Sequence, residues 1–406
     1  MALVDMKDLL NHAHRNCYAV GAFEIVSLDF LKAVIKAAED SRSPVILNVN
    51  DRKGKIKNLD LLMAGVERAA RISMVPVAIN FDHCATSDDI VNGIRLGCNC
   101  VMLDASDASF PINVDRTKNA VTLSHSCGVP VEGSLGHVSS VNSLDDTNDN
   151  GEPVLTPIHE VAVYIERTGV DFLAISIGTT HGRVQSKNKL DINRLAKING
   201  AANIPLVIHG GTGLTDSQYH KLIDNGVAKI NYFTALTETA METVKETIQD
   251  SQLGYMEMFE KIRESIYNEV KRCMQVWRST GRAAEVLIQC NLWHNVEQVI
   301  ACNAESGDEK QIQQIVLRGK NDLSPMPGVM SIKVGKLTTE EGKYEYCWII
   351  RLANQSVVNS LNKNPVYSSF ADTIFKRTAT PEKPGINYEM LNEVDLEPAL
   401  LIANHA

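Results

Sequence analysis

Between residues 18 and 250, short apolar runs alternate with amphipathic helical stretches, and this rhythm limits the fold more than any other feature of the chain. The runs fall at Tyr18–Ile25, Pro44–Asn50, Val75–Asp82, Asn99–Ala105, Val129–Leu135, Asp171–Ile177, Ile204–His209 and Val227–Tyr232. Between the first two, Leu28–Asp40 (LDFLKAVIKAAED) places apolar residues at i, i+3 and i+4, the period of a helix packed on one face. Strands alternating with helices build βαβ units around a parallel sheet. Eight such units in about 230 residues have the size of a TIM (β/α)8 barrel. A doubly wound sheet is the alternative. Two connections are longer than an idle link, Gly136–Pro157 and Gly178–Asn188. Both follow strands on the catalytic face of a barrel, where long loops act as lids or flaps.

Helix Tyr255–Trp277 and a small linker, Ser279–Ala284, end the pattern and divide the chain into residues 1–284 and 285–406. Beyond the division, Val296–Ala301 reads as a strand and Glu309–Arg318 as a helix. Val329–Gly335 and Tyr344–Leu352 read as a hairpin, Gln355–Phe375 as one amphipathic helix and Ile386–Leu391 as a last strand. The order β-α-β-β-α-β predicts a ferredoxin-like α+β domain.

The formal net charge of −9 gives no electrostatic footprint for nucleic acid or for an anionic membrane surface. No apolar run is long enough to span a bilayer. The opening MALVDMKD lacks the apolar region of a secretory signal. The nine cysteines are scattered without a CxxC pair, which predicts reduced thiols in a cytoplasmic protein. Cys98 and Cys100 share one face of a predicted strand and are read as core filling rather than metal ligands.

Three predicted strands end in histidine: the third in Asp82-His83, the sixth runs on to His181-Gly182, and the seventh ends in His209-Gly210-Gly211-Thr212-Gly213. Any one of these would ordinarily be a satisfied polar residue or an acid–base group. Three at one barrel mouth suggest a catalytic zinc site, with three protein ligands and an open fourth position. Asp82 is either a general acid–base residue beside the metal or a hydrogen-bond acceptor that orients a ligand. The glycines at 210–213 precede a helix starting near Thr215, and Asn231 and Thr234 end the eighth strand. In this fold that region binds anionic groups.

These residues resemble the class II, metal-dependent ketose-bisphosphate aldolases over about residues 1–250. The resemblance is carried by YAVGAF (18–23), SPVIL (43–47), DHC (82–84), CVMLDAS (100–106), VPVEGSLG (129–136), TGVDFLAISIGTTHG (168–182), IPLVIHGGTGL (204–214) and AKINYFTAL (228–236). It implies zinc held by His83, His181 and His209, with Asp82 as the acid–base residue. It also implies Gly182, Gly210, Gly211, Thr212, Asn231 and Thr234 around a ketose and its phosphate. The implied chemistry is Lewis-acid polarisation of the ketone and stabilisation of an enediolate when the carbon–carbon bond breaks. Residues 288–392 resemble the stress-responsive dimeric α/β-barrel (Dabb) family through PGVMSIKVGK (327–336), YEYCWIIRLAN (344–354) and NPVYSSFADTIF (364–375). That implies an oligomerisation module and a homo-oligomer, dimer or tetramer.

The chain departs from the aldolase pattern at several positions. Asn142 stands where the family's loop glutamate moves a proton, with Asp145 and Asp146 as the nearest replacements. Glu132-Gly-Ser134 replaces Glu-x-Glu, Glu24 replaces an asparagine, Asn50 replaces a small hydroxyl residue, and Gln185 replaces a lysine. Glu24 and Asn50 are therefore candidate substrate-binding residues of altered specificity, with Arg183 as a candidate compensating cation. The expectation is a zinc-dependent aldolase acting on a small sugar, sugar acid or sugar phosphate that differs from the usual bisphosphate. The alternatives are a metal-dependent isomerase or other lyase, and a catalytically silent ligand-binding barrel.

Overall fold

The structure is a computed structural model that describes residues 2–50, 58–138, 154–182, 190–249, 252–302, 309–323, 325–336, 346–375 and 385–389. Eight parallel strands close into a barrel in sequence order: β1 (Val20–Glu24), β2 (Val45–Val49), β3 (Val77–Cys84), β4 (Cys100–Leu103), β5 (Val131–Leu135), β6 (Phe172–Ile175), β7 (Leu206–Ile208) and β8 (Val227–Tyr232). Closure is made by β8 against β1, with Ala22 opposite Asn231 and Phe23 opposite Tyr232. This settles the choice against the doubly wound sheet. The helices are α1 (Met6–Arg15), α2 (Leu28–Ser41), α3 (Leu59–Ile72), α4 (Ser87–Arg95), α5 (Phe110–Ser126), α6 (Ile158–Thr168), α7 (Ile192–Ala202), α8 (Asp216–Asp224), α9 (Thr234–Ile248), α10 (Tyr255–Val276) and α11 (Ala283–Gln289).

Two apolar layers result from the period-2 alternation of the strands. Outward residues such as Leu47, Val49, Ile79 and Val101 pack beneath the surrounding helices. Inward residues, among them Val20, Ala22, Ile46, Ala78, Met102, Phe172 and Val207, fill the barrel axis. Helices α1 and α11 plug its N-terminal end with Met6, Leu9, Leu10 and Val286. Cys98 and Cys100 do not share surroundings: Cys98 lies in the outer layer and Cys100 in the axial one. Cys98 precedes β4 in the turn after α4, so strand alternation does not apply to it.

The stretch Ser279–Ala284 is not a free linker. Ser279 is fully buried and its hydroxyl accepts from Ser43 Oγ at 2.8 Å. Gly281 N–H donates to Ser41 O and Ala283 N–H to Arg42 O, which stitches the segment to the end of α2. Helix α11 crosses residues 284 and 285, and Trp293 N–H bonds to Leu3 O at 2.8 Å.

A second sheet has four antiparallel strands in the order β10–β11–β9–β12, where β9 is Val296–Cys302, β10 Val329–Lys336, β11 Tyr346–Leu352 and β12 Gly385–Glu389. Helix α12 (Glu309–Leu323) lies between β9 and β10 in the chain. The segment expected as one helix over Gln355–Phe375 is two, α13 (Gln355–Leu361) and α14 (Pro365–Phe375). The break has a clear cause. Pro365 supplies no N–H to an ongoing helix, and the Asn364 side chain accepts from Val366 N–H at 2.9 Å, which starts α14 afresh. One face of the sheet carries Trp348, Ile350 and Leu352, all buried, with Phe370 of α14 edge-on to Trp348. The second sheet meets the barrel through Arg351 Nη2 to Glu67 Oε1 (2.8 Å) and Asn354 Nδ2 to Cys127 O (2.6 Å).

A buried carboxylate ties the N-terminal helix to the strands. Asp171, at the entrance of β6, accepts from Val131 N–H (2.8 Å) and His125 Nε2 (2.7 Å) and pairs with Lys7 Nζ of α1 (2.8 Å). Burial pushes its carboxyl up, but the bonds from His125, Lys7 and Val131 outweigh this and hold it below the ordinary carboxylate range. A depressed folded pKa stabilises the fold above the unfolded value, and that stability is lost as pH falls through the folded one. We predict that Asp171→Asn costs about 2–3 kcal/mol at pH 7. Its deficit against the unsubstituted chain should shrink below about pH 4, as read by urea denaturation at a series of pH values. A deficit unchanged down to pH 3 would remove the carboxylate from this role.

Candidate active site

The inward positions that are apolar low in the barrel become polar near its C-terminal mouth. Along β2 the series is Ile46, Asn48, Asn50, and along β3 it is Ala78, Asn80, Asp82. Glu132 comes from β5, and Lys229 and Asn231 from β8. These groups bond to one another. Lys229 Nζ meets Glu132 Oε2 at 2.6 Å, and neither side chain is exposed at all. Asn80 Nδ2 donates to Asn48 Oδ1 at 2.7 Å, which fixes the orientation of the Asn48 amide. Asn48 Nδ2 then donates to both Glu24 Oε2 (2.9 Å) and Asp82 Oδ2 (3.0 Å). Asn231 Nδ2 adds a bond to Asp82 Oδ2 at 3.0 Å.

Above this layer the three strand-end histidines converge. Ring centroids are separated by 5.0 Å for His83–His209, 5.4 Å for His83–His181 and 6.0 Å for His181–His209. Neighbouring strand residues point to opposite faces, yet Asp82 and His83 both face the site. His83 has φ +54°, and the β3–β4 register shifts between Phe81 and Cys84. That left-handed step, uncommon for a residue with a Cβ, turns the imidazole back over the mouth. His209 is brought in by a different device. Gly210 follows it at φ +68°, and a Cβ there would collide with the backbone of Thr180. Only glycine permits that close approach of the β6 and β7 exits.

Each of two imidazoles has one nitrogen committed to a carboxylate. His83 Nδ1 bonds Asp104 Oδ2 at 2.8 Å, and His209 Nε2 bonds Glu132 Oε1 at 2.8 Å. An imidazole that donates one N–H to a carboxylate presents its other nitrogen, made more basic, to a metal. One nitrogen from each of His83, His181 and His209 lies within 4.8 Å of the other two. A second grouping of potential ligands, Asp82, Glu132 and His209, is equally tight. It is the poorer metal site, because Glu132 is already neutralised by Lys229 and an ammonium beside a divalent ion is repelled. The three-imidazole set fits a divalent metal on its donor chemistry, and the buried, unpartnered Asn231 Oδ1 and Thr180 Oγ1 fit a polar ligand alongside.

Burial works against charge on Asp82, but His83, His209, Lys229 and the Asn48 amide prevail and hold its carboxyl below the ordinary range. Burial likewise opposes ionisation of Glu132, and Lys229 and His209 reverse it. Lys229 loses hydration, yet Glu132 and Asp82 hold its pKa above the usual lysine value. Asp104 is also held low, by His83 and Ser106 against its burial. Asp82, Glu132 and Asp104 are thus all held towards their ionised forms.

A cavity of about 250 Å³ opens here. The metal-ligand candidates His83, His181 and His209, the acid–base candidate Asp82, and Gly182, Gly210, Gly211, Thr212, Asn231, Thr234, Glu24 and Asn50 all line it. Helix α9 begins at Thr234 on its wall, and Ala235 N–H donates to Thr212 Oγ1 at 3.3 Å. Asn142, Asp145, Asp146, Arg183 and Gln185 lie outside the described residues. Sequence reading missed Asn48, Asn80, Asp104 and Lys229. The signal for three of them was in the alternation: Asn48 and Asn80 occupy inward positions two residues before Asn50 and Asp82, and Lys229 two before Asn231.

The family profile described as fructose-bisphosphate aldolase class-II matches residues 4–282. The chain belongs to that family. Over 291 residues it is 35% identical to the fructose-bisphosphate aldolase of Geobacillus stearothermophilus, covering 70% of this chain and all of that one. Over 285 residues it is 31% identical to a sulfofructosephosphate aldolase of Alkalicoccus urumqiensis, covering 70% of this chain and 99% of that one. Among solved structures it is similar to the YdjI aldolase of Escherichia coli K12, with a TM-score of 0.62 and 30% identity, over 69% of this chain and 99% of the other. The chain is thus a member of a family of metal-dependent carbon–carbon lyases, and the barrel carries the likeness. No described helix is long and apolar enough to cross a membrane.

The Glu132–Lys229 pair supplies a test of this site's construction. We predict that Lys229→Met, which strands a buried carboxylate, destabilises the chain by about 3–5 kcal/mol. Adding Glu132→Gln should restore most of that loss in chemical denaturation. Equal destabilisation by the single and double variants would show that the pair is not energetically coupled.

Proposed function

We propose that the chain is a zinc-dependent aldolase that cleaves or forms a carbon–carbon bond in a ketose or sugar-acid derivative. The observation that carries this reading is the ionised Asp82 carboxylate, 3.5 Å from His83 Nε2, at the foot of three convergent imidazoles. His83, His181 and His209 would hold the ion. When bound, it supplies Lewis-acid polarisation of a ketone oxygen. The rest of the chemistry falls to the chain. Asp82, fixed by Asn48 and Asn231, is placed to hold or take the proton of the hydroxyl that becomes the aldehyde oxygen. Asn231, Thr212 and Thr234, with the backbone at Gly210 and Gly211, orient the ketose. The start of α9 favours an anionic group such as a phosphate there. Glu24 and Asn50 border the other part of the cavity, where they would alter substrate choice.

For the second sheet we propose a ferredoxin-like, Dabb-like domain, residues 285–406, that pairs copies of the chain into a homo-oligomer. Its strand order supports this reading, as do Val299 and Ile349, which sit opposite each other, half-buried, on the face turned away from Phe370. The free cysteines, buried except Cys17 and the half-buried Cys347 among those described, suit a reducing, cytoplasmic setting.

His181→Ala should lose most bound zinc by elemental analysis and all aldehyde release in a coupled dehydrogenase assay. Full activity after chelation would dismiss the metal. Asp82→Ala should retain zinc while cleavage falls on the order of 10²- to 10⁴-fold. Equal loss of zinc would make Asp82 a positioning residue instead. A product with unchanged carbon number would indicate an isomerase, and ligand-induced stabilisation without carbonyl release a silent barrel. Ending the chain after residue 294, which spares Trp293, should reduce its mass in sedimentation to that of a smaller assembly. An unchanged assembly would contradict the pairing role.

A further inference from the structure

One line of hydrogen bonds joins three neighbouring strand exits. His83 lies near the end of β3, Asp104 directly follows β4, and His137 stands two residues beyond β5. His83 Nδ1 meets Asp104 Oδ2 at 2.8 Å. The other carboxylate oxygen, Asp104 Oδ1, accepts from Ser106 Oγ at 2.7 Å and from Ser106 N–H at 3.2 Å. Ser106 Oγ in turn lies 3.2 Å from His137 Nδ1. A serine hydroxyl has a single hydrogen, and the shorter bond to Asp104 takes it. His137 Nδ1 is therefore assigned as the donor to Ser106, in the neutral and the protonated ring alike. Every hydrogen along the line points towards Asp104.

The backbone of His137 is also held firmly. It exchanges hydrogen bonds with Val154 (2.8 and 3.0 Å), and its carbonyl accepts from Ser176 Oγ at 3.1 Å. Gly136 permits this approach. Its φ is +87°, and a Cβ there would collide with Val154 O and Thr156 Oγ1. We propose that His137, which is not among the residues lining the cavity, is a positioning residue for the metal ligand His83, acting through Ser106 and Asp104. The Asp104 side chain is 28% exposed, so a carboxylate without an anchor would turn towards water. With Oδ1 tied to Ser106, and Ser106 tied to His137, Oδ2 stays on His83 Nδ1. That fixes the imidazole and leaves its Nε2 as the nitrogen for a metal. The inference rests on the metal reading above and concerns how firmly the ion is held, whatever the substrate.

The test measures zinc affinity of the full-length chain by competition with a chromogenic chelator, a readout independent of turnover. Ser106→Ala and His137→Leu should each weaken zinc binding on the order of 10-fold. The double variant should bind zinc as well as Ser106→Ala alone, because residue 137 then has nothing to act through. His137→Asn, which keeps an N–H donor near the place of Nδ1, should recover most of the loss. Thermal melts check that the variants fold, and His137→Gln, whose amide falls near the place of Nε2, replaces a leucine variant that does not. Unchanged affinity in His137→Leu, an asparagine variant as weak as the leucine one, or losses that multiply to about 100-fold in the double variant each overturn the proposal. Absence of zinc binding by the unsubstituted chain overturns the metal reading and this proposal with it. Zinc held equally by every variant overturns the proposal alone.

Discussion

The upper half of the barrel interior depends on one buried cation. Lys229 Nζ sits 2.6 Å from Glu132 with no solvent access to either side chain. Without it, Glu132 and Asp82 would be two carboxylates in a low-dielectric enclosure, where like charges cannot both persist. With it, Glu132 is ionised, accepts from His209 Nε2 and presents the other ring nitrogen to the mouth. The same ammonium helps to keep Asp82 ionised. The orientation of one imidazole and the charge of the acid–base candidate thus trace to a residue that does not line the cavity.

A second constraint is the amide ladder from Asn80 to Asn48. Its register is set by the parallel pairing of β2 and β3, in which Asn48 and Asn80 are partners. Each amide then has one orientation that satisfies its neighbours, so the ladder hands Asn48's donors to Glu24 and Asp82. Polar networks of this kind are stabilising only when nearly complete; Asn231 extends this one to Asp82, while the amide oxygens of Asn80 and Asn231 are left for a ligand or solvent. The left-handed His83 is the strained counterpart. A backbone outlier persists where its surroundings over-determine it, and the bond to Asp104 at 2.8 Å does so here.

The barrel was legible in the sequence because its strands are apolar on both faces and evenly spaced. The mouth was legible because histidines and glycines at strand ends have few purely structural uses. The polar layer beneath was not. Asn48 and Asn80 look like blemishes in apolar runs, and Lys229 pairs with a residue 97 positions away, a separation no local pattern reports. Glu132 was visible, but only as the remnant of a lost ligand pair and not as the partner of a cation. In the second sheet, the break between α13 and α14 could have been read from Asn364-Pro365, since proline interrupts a helix that periodicity alone would continue. The role of Ser279 was hidden for another reason: a short polar stretch reads as a linker until its bonds to α2 are seen.

The cavity is lined by residues at the exits of several strands. Beyond β7 the chain runs through His209–Thr215 before α8, and beyond β8 through Phe233 into α9, so Gly210, Gly211, Thr212 and the start of α9 line the cavity. Glu24, the last residue of β1, and Asn50, just past β2, line the opposite side of the cavity. Backbone donors are independent of residue identity and suit a group common to every substrate. Side-chain positions can change without disturbing the barrel, because alternation needs only that an inward residue fit. The departure at Glu24 sits at the open edge of the amide ladder, where Asn48 donates to it on the β1–β2 side of the cavity.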